Sequence, residues 1–266
     1  MKKYLGLFLT LGVIAAAVGA PWLAGSDPLA ANFAHGLQPP GSPGHVLGTD
    51  QLGRDLLARV LYGARLALFI GACTVVVTAV VGGLLGLVAG FVERWPSAAI
   101  MRLADVQLSF PFILLALTIN AIVGLGLRNI ILSLSAAGWV VYARVVRGEV
   151  LSVKQRDYVH AAAALGVGRM RLLFRHVLPN VAPSIIVVAS LQFSQFVVAE
   201  AAISFLGFGV QPPTPAWGSM LSESRDFLYV AWWLAAFPGA ALALTALGVN
   251  LLGDWLRDTL DPKLRV

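Results

Sequence analysis

Residues Tyr158–Asn180 read YVHAAAALGVGRMRLLFRHVLPN, a basic segment between long apolar runs. Apolar residues recur at i, i+3, i+4 and i+7 in each half, which predicts two short amphipathic helices: Tyr158, Ala161, Ala162 and Leu165, then Met170, Leu173, Phe174 and Val177. Gly166 and Gly168 allow a sharp turn between them, and Pro179 is expected to end the second helix. A helical hairpin set between apolar runs favours an all-α membrane protein.

An amphipathic hairpin that connects two membrane spans needs another surface against which to bury its apolar side. The pattern alone leaves two interpretations open. The hairpin either contacts a soluble partner protein or rests on lipid headgroups.

The composition indicates membrane spans rather than a soluble domain. Only 12% of the 266 residues are charged and 58% are hydrophobic, whereas ordinary globular chains carry about 25% charged residues. The formal net charge is +6. The basic residues lie at span ends and in one loop, a distribution that suits membrane topology better than nucleic-acid binding. We therefore expect membrane lipid, and no nucleic acid, among the partners of the chain.

Six apolar runs are long enough to cross a hydrocarbon core about 30 Å thick. They are Tyr4–Leu23, Leu66–Val92, Leu103–Leu125, Asn129–Val146, Val181–Phe208 and Leu228–Leu252. One membrane domain is predicted over residues 1–266, with an outer loop at 24–65, a five-span core at 66–252, the hairpin within 155–180 and a tail at 253–266. The first run also has features of a signal peptide, but Pro21 after the small-residue site favours an uncleaved span.

Lysine and arginine are unevenly distributed between the loops. With the N-terminus inside, 14 of the 19 basic residues lie in the cytoplasm and five lie outside, namely Arg54, Arg59, Arg65, Arg128 and Arg225. Cytoplasmic loops carry an excess of basic residues. The bias predicts that both termini are cytoplasmic and that the hairpin lies on the side where ATP is available.

The segment Leu47–Arg65, LGTDQLGRDLLARVLYGAR, precedes the second span on the outer side. Thr49 or Asp50 is a suitable N-cap, and the apolar spacing that follows predicts an amphipathic helix lying at the interface. Asp55 and Arg59 are spaced for an i,i+4 ion pair on that helix.

Several polar side chains occur inside the predicted spans: Asn120, Gln192, Gln195 and Glu200. A carboxylate in lipid is costly, so Glu200 is expected to face protein or a water-filled cavity. It either lines a pathway or subunit interface, or locks two helices together. The amides are also candidates for a pathway, although hydrogen bonds between helices explain most such residues.

The hairpin resembles the cytoplasmic "EAA" coupling loop of ABC importer permeases. The resemblance rests on Ala161, Ala162, Gly166, Leu178 and Pro179, which match the spacing of that loop. It implies that His160, Ala161, Ala162, Gly166 and Arg169 contact an ATPase subunit. The usual first residue of the motif is glutamate, and His160 stands there. A charge-assisted contact is therefore weaker here, or carried by Arg156, Asp157 or Arg169.

Other stretches resemble the "C" permease subunit of the dipeptide, oligopeptide and nickel importers. They are LGTDQLGRD and LYGAR before the second span, Ala199–Leu221, and the terminal DPKLR. The resemblance implies a type I importer fold in the bacterial inner membrane. It also implies a homologous second permease, two ATP-binding subunits that use ATP and Mg²⁺, and an extracytoplasmic substrate-binding protein. Pro213 and Trp217 lie in the loop where that protein would dock.

The resemblance leaves the cargo open between dipeptides, longer peptides, glutathione, nickel chelates and other small solutes. No Gly-Lys dipeptide occurs, which excludes a phosphate-binding P-loop, and no zinc helix motif occurs. His35 and His45 have no partner at ligand spacing, so no metal or other cofactor is expected on this chain. A secondary transporter remains an alternative because Glu200 lies in a span, although no inverted repeat is visible. A membrane scaffold is a second alternative.

Overall fold

The computed structural model describes residues 2–92 and 94–260. Within these ranges the chain folds into ten α-helices without a β-strand, which confirms the all-α prediction. The helices are α1 Lys2–Leu23, α2 Leu56–Phe91, α3 Trp95–Leu108, α4 Phe112–Val123, α5 Leu127–Lys154, α6 Asp157–Ala164, α7 Arg169–Leu172, α8 Leu178–Phe205, α9 Trp217–Glu223 and α10 Trp233–Leu260. Short 3-10 turns cover Phe33–His35 and Arg225–Phe227.

Five helical segments of the described chain are long and apolar enough to cross a membrane, and a bent pair can supply a sixth span. The five contain α1, α2, α5, α8 and α10. The predicted third span, Leu103–Leu125, is not one straight helix, because α3 and α4 meet at 94°. Pro111 is the N-cap of α4 and has no N–H to continue the helix from α3. The apolar run Leu103–Leu125 was predicted as one span, and this break within it was not predicted.

The prediction of a separate interfacial helix before the second span is wrong. Residues 47–55 are not helical, and α2 begins at Leu56 and continues unbroken to Phe91. Asp55, not Thr49 or Asp50, caps this helix by accepting the Ala58 N–H at 2.8 Å. A helix of 36 residues is about 54 Å long. The apolar residues Leu56 and Val60 therefore belong to the first turns of the span itself, whereas Leu52 precedes it.

The other end of the chain also differs from the prediction. Helix α10 extends to Leu260, so the residues from 253 to 260 are helical rather than a tail. The segment 261–266, which includes the whole of the terminal DPKLR, lies outside the described residues.

Helices α2 and α5 pack closely because glycines recur every four residues along α2. Gly82, Gly86 and Gly90 face the backbone and side chains of α5. A Cβ on Gly86 would lie 2.6 Å from the Ala143 carbonyl oxygen, and one on Gly90 would lie 2.6 Å from Val150 Cβ. Small residues at such positions let membrane helices approach one another.

We expect Gly86→Ala to destabilise the protein by about 1–3 kcal/mol, because the new methyl group must push α5 away. Gly83→Ala is the matched control on the same helix, since its Cβ would meet only Ile185 Cδ1 at 3.9 Å. The midpoint of thermal unfolding in detergent measures the difference. Equal midpoints for the two variants would show that α2 and α5 do not depend on this close contact.

Candidate coupling hairpin and membrane cleft

The first arm of the hairpin, α6, ends in a glycine turn of defined geometry. Gly166 has φ +82°. Its N–H donates to the Ala163 carbonyl at 3.0 Å, and the Val167 N–H donates to the Ala162 carbonyl at 3.2 Å. These two bonds form a Schellman motif, in which glycine is favoured at the left-handed position. The prediction of a permissive backbone is confirmed for Gly166, whereas Gly168 has φ −61° and does not require glycine.

The second arm is continuous with a membrane span. A single helical path runs from Arg169 to Phe205 over 37 residues, with a π-helical turn at Leu173–Val177. The expectation that Pro179 ends this arm is wrong. Pro179 lies at the beginning of α8, where a missing N–H is tolerated because the helical path bulges in the preceding turn. The second arm and the span are therefore one element about 55 Å long.

Buried valines anchor the hairpin to the bundle. Val159 on the first arm and Val177 on the second are 3% and 0% exposed. They join one apolar cluster with residues of α2, α5 and α8, namely Leu87, Val146, Val150, Val153 and Val181. The rings of Tyr158 and His176 lie 6.5 Å apart between the two arms. The hairpin thus moves with the helices on which it packs.

The opposite side of the hairpin is an apolar patch that the described chain does not cover. Leu165 is 86% exposed and Met170 is 65% exposed, and Phe174 and Tyr158 are also exposed. Basic and polar side chains around the patch are exposed as well: Arg156, His160, Arg169, Arg171 and Arg175. Ala161 is exposed and Ala162 half-buried. Large exposed apolar patches with polar rims mark sites of protein or membrane interaction.

A cleft of about 490 Å³ opens in the membrane region beside the break between α3 and α4. It is bordered by α4, α8 and α10, through Pro111, Phe112, Ile113, Leu191, Ser194, Gln195, Val198, Ala199 and Asn250. Gln195 is therefore the one predicted pathway residue that lines this cleft. Helix α8 supplies five of its nine lining residues, so the helix that carries the hairpin also forms the cleft wall.

The other predicted pathway residues are buried away from the cleft. Ser204 Oγ donates to Glu200 Oε1 at 2.6 Å. Asn120 Nδ2 donates to the Phe208 carbonyl, and Ser133 Oγ donates to Asn120 Oδ1 at 3.4 Å. Gln192 is buried too, and its Nε2 has no hydrogen-bond partner within the described residues. The bonds of Asn120 connect α4 to α5 and to the end of α8, as helix-locking groups do.

At the end of the bundle where α2 begins, four charged side chains form an acid–base cluster that links the segment before α2 to α9. Asp50 binds Arg54 Nε at 2.6 Å and also binds Arg59. Arg59 Nη1 lies 3.1 Å from Glu223 Oε2, and Arg54 Nη2 lies 3.3 Å from the same oxygen. Asp50, Arg54 and Arg59 are all buried. This cluster was not predicted from the sequence.

The predicted pairing of Asp55 with Arg59 is wrong. Asp55 Oδ2 instead lies 2.8 Å from His45 Nδ1, while Arg59 reaches Asp50 and Glu223. The cause is the N-cap position of Asp55, whose carboxylate points back over the helix end.

Trp217 is not a surface residue, which corrects its prediction as a docking residue. Its side chain is 2% exposed, and its Nε1 donates to the Val60 carbonyl at 3.0 Å. The indole fits beside Gly63, where a Cβ would lie 2.7 Å from Trp217 Cδ1. Pro213 is exposed in the preceding loop and remains available to a partner.

Within residues 2–92 and 94–260, no three His, Cys, Asp or Glu side chains are grouped so that they could hold a metal ion.

Comparison with known proteins identifies the family. Residues 82–266 match the family described as binding-protein-dependent transport system inner membrane component. The chain belongs to this family. It is 45% identical to the di/tripeptide transport system permease protein DppC of Pseudomonas aeruginosa, over 98% of this chain and 88% of that protein. It is 44% identical to the dipeptide transport system permease protein DppC of Escherichia coli, with the same coverage.

The chain is also 44% identical to the glutathione transport system permease protein GsiD of Pectobacterium atrosepticum, over 84% of this chain and 74% of that protein. The family membership confirms the resemblance seen in the hairpin and in the outer segment. The protein is a multi-pass membrane permease of an ABC importer, not a catalytic enzyme. The secondary-transporter and scaffold alternatives are thereby excluded.

Proposed function

We propose that this chain couples ATP hydrolysis in two separate ATP-binding subunits to the opening and closing of a path at the interface with a homologous second permease. The substrate arrives on an extracytoplasmic binding protein. The chain itself binds no cofactor, and its partners use ATP and Mg²⁺. We place it in the bacterial inner membrane with both termini in the cytoplasm, because of the distribution of basic residues.

One observation supports this proposal above the others, namely the continuous helical path from the hairpin to the cleft. From Gly168 to Leu191 the path covers about 35 Å. Closure of the ATPases displaces the hairpin, and α8 transmits that displacement to the cleft wall. Coupling of this kind needs a rigid element with two arrangements, and the valine anchors of the hairpin supply the rigidity.

For the substrate we propose short peptides. The relatives at 45% and 44% identity are named for di- and tripeptides or dipeptides. Glutathione, in the name of a third relative, is itself a modified tripeptide. The cleft in this single chain is mainly apolar with a few amide and hydroxyl groups, which suits a path that tolerates different side chains.

We expect thiol labelling to confirm the orientation. After replacement of Cys73 by alanine, single cysteines at Gly44 and Ser222 should react with an impermeant reagent added outside. A cysteine at Ser152, which is exposed near the end of α5, should react only after permeabilisation. Labelling of Ser152 from outside would reverse the orientation.

Reconstitution tests the function. The purified chain should hydrolyse no ATP above background. Proteoliposomes containing both permeases, both ATPases and the binding protein should accumulate a radiolabelled dipeptide only when ATP is enclosed on the hairpin side. ATP hydrolysis by the isolated chain would contradict the proposal that separate ATP-binding subunits hydrolyse ATP. Failure of every tested peptide, while another solute is imported, would contradict the substrate class alone.

A further inference from the structure

A second cavity lies at the same end of the bundle as the hairpin, between the ends of α2 and α5 and the beginning of α3. Its volume is about 330 Å³. Lys154, which lies within 3.5 Å of the Gly90 carbonyl, connects this end of α2 to the beginning of the hairpin. The cavity is remote from the membrane cleft, and shares no lining residue with it.

The chemistry of the cavity is basic on one side and apolar on the other. Arg94 and Arg147 line it, and no acidic residue is among its described lining residues. Arg147 Nε lies 3.3 Å from Ser97 Oγ, which fixes one edge of the guanidinium, and its remaining N–H groups have no partner among the described residues. Met101 and Leu151 supply apolar walls. Guanidinium groups beside a hydroxyl are suited to bind a phosphate.

Two further observations place this cavity at the level of lipid headgroups. Trp95, next to Arg94, is 79% exposed, and exposed tryptophans at span ends lie at the membrane interface. Arg94 itself has φ +76°, a conformation rare outside glycine. Outliers of this kind are concentrated at functional sites.

We propose that this cavity binds the headgroup of an anionic phospholipid. The phosphate lies between Arg94 and Arg147 and accepts hydrogen bonds from them, and the upper part of the acyl chains lies against Met101 and Leu151. Basic pockets between spans on the cytoplasmic side bind anionic headgroups elsewhere. The same chemistry would accept free phosphate, but the apolar walls and the neighbouring tryptophan favour a lipid.

Native mass spectrometry of the assembled transporter, extracted from vesicles of phosphatidylglycerol and phosphatidylcholine, tests the proposal. The wild type should retain phosphatidylglycerol in preference to phosphatidylcholine. The double variant Arg94→Gln/Arg147→Gln should lower that preference roughly tenfold. Arg102→Gln is the matched control, because Arg102 is exposed on α3 and is not among the described lining residues. Arg94→Gln alone, at an exposed side chain, gives an intermediate loss if the double variant is not recovered.

Unchanged lipid preference in the arginine variants would overturn the proposal. Displacement of the lipid by millimolar inorganic phosphate would assign the site to a free anion and would overturn it as well. Loss of the ATPase subunits with retention of phosphatidylglycerol would assign the arginines to a protein partner instead.

Discussion

Replacing Gly166 by valine should abolish most transport without preventing membrane insertion. Valine is strained at φ +82°, by about 1–3 kcal/mol. A hairpin that must keep this turn in order to dock would then be competent in a smaller fraction of molecules, by about tenfold. Beyond Gly166 and its two neighbours in sequence, no atom of the described chain lies within 4 Å of a Cβ built at Gly166, so the bundle itself is not disturbed. Uptake and substrate-stimulated hydrolysis in the reconstituted complex measure the effect.

Two control variants separate backbone strain from added volume. Gly166→Asn should retain much of the activity, because asparagine tolerates positive φ better than valine does. Gly168→Val adds the same side chain in the same turn at φ −61°, where valine is not strained. It should therefore be milder than Gly166→Val. Normal uptake by Gly166→Val at normal expression would show that the hairpin is not the coupling element.

Replacing Asp50 by alanine should destabilise the acid–base cluster, and with it the fold, by about 3–5 kcal/mol. The change leaves Arg54 and Arg59 buried with only the shared oxygen of Glu223 between them. It also removes the acceptor of the Leu52 and Arg54 N–H groups, which lie 2.8 and 2.9 Å from Asp50 Oδ1. The midpoint of thermal unfolding in detergent should fall accordingly.

Asp226→Ala is the matched control for Asp50→Ala, since it removes the same charge from an exposed residue near α9. Its midpoint should stay close to that of the wild type, because isolated surface charges contribute little. Equal midpoints for the two variants would show that the acid–base cluster does not hold the segment before α2 to α9.

The sequence predicted the elements that depend on local pattern. Long apolar runs place the spans, since only helices satisfy their own backbone in lipid. The turn at Gly166 followed from glycine and helical spacing together. The break at Pro111 was missed although the proline was visible, because an apolar run gives no sign of whether a span bends there. Likewise, a periodic pattern does not show where a span ends and an interfacial helix begins. The second span was therefore predicted to begin at Leu66, whereas α2 begins at Leu56.

The acid–base cluster could not be predicted, because it joins residues far apart in the chain. Asp50 and Glu223 meet the same arginines only after α9 has packed against the beginning of α2. The burial of Trp217 has the same origin, since its partners are Val60 and Gly63. The charged residues Arg54 and Arg59 in so apolar a chain were the available signal, but Arg54 was used only for the charge bias between the loops and Arg59 was paired with Asp55.

Photocross-linking from Leu165 tests the coupling role of the hairpin most directly. Leu165 is 86% exposed at the tip of the hairpin and Tyr229 is fully exposed in the segment just before α10, so a photoreactive benzoylphenylalanine at either position has free access to a partner. In membranes containing the assembled, transporting complex, the probe at Leu165 should form an adduct with an ATPase subunit, and the probe at Tyr229 should not. Adducts of Leu165 with lipid alone, while the complex still transports, would show that the hairpin rests on headgroups and does not couple.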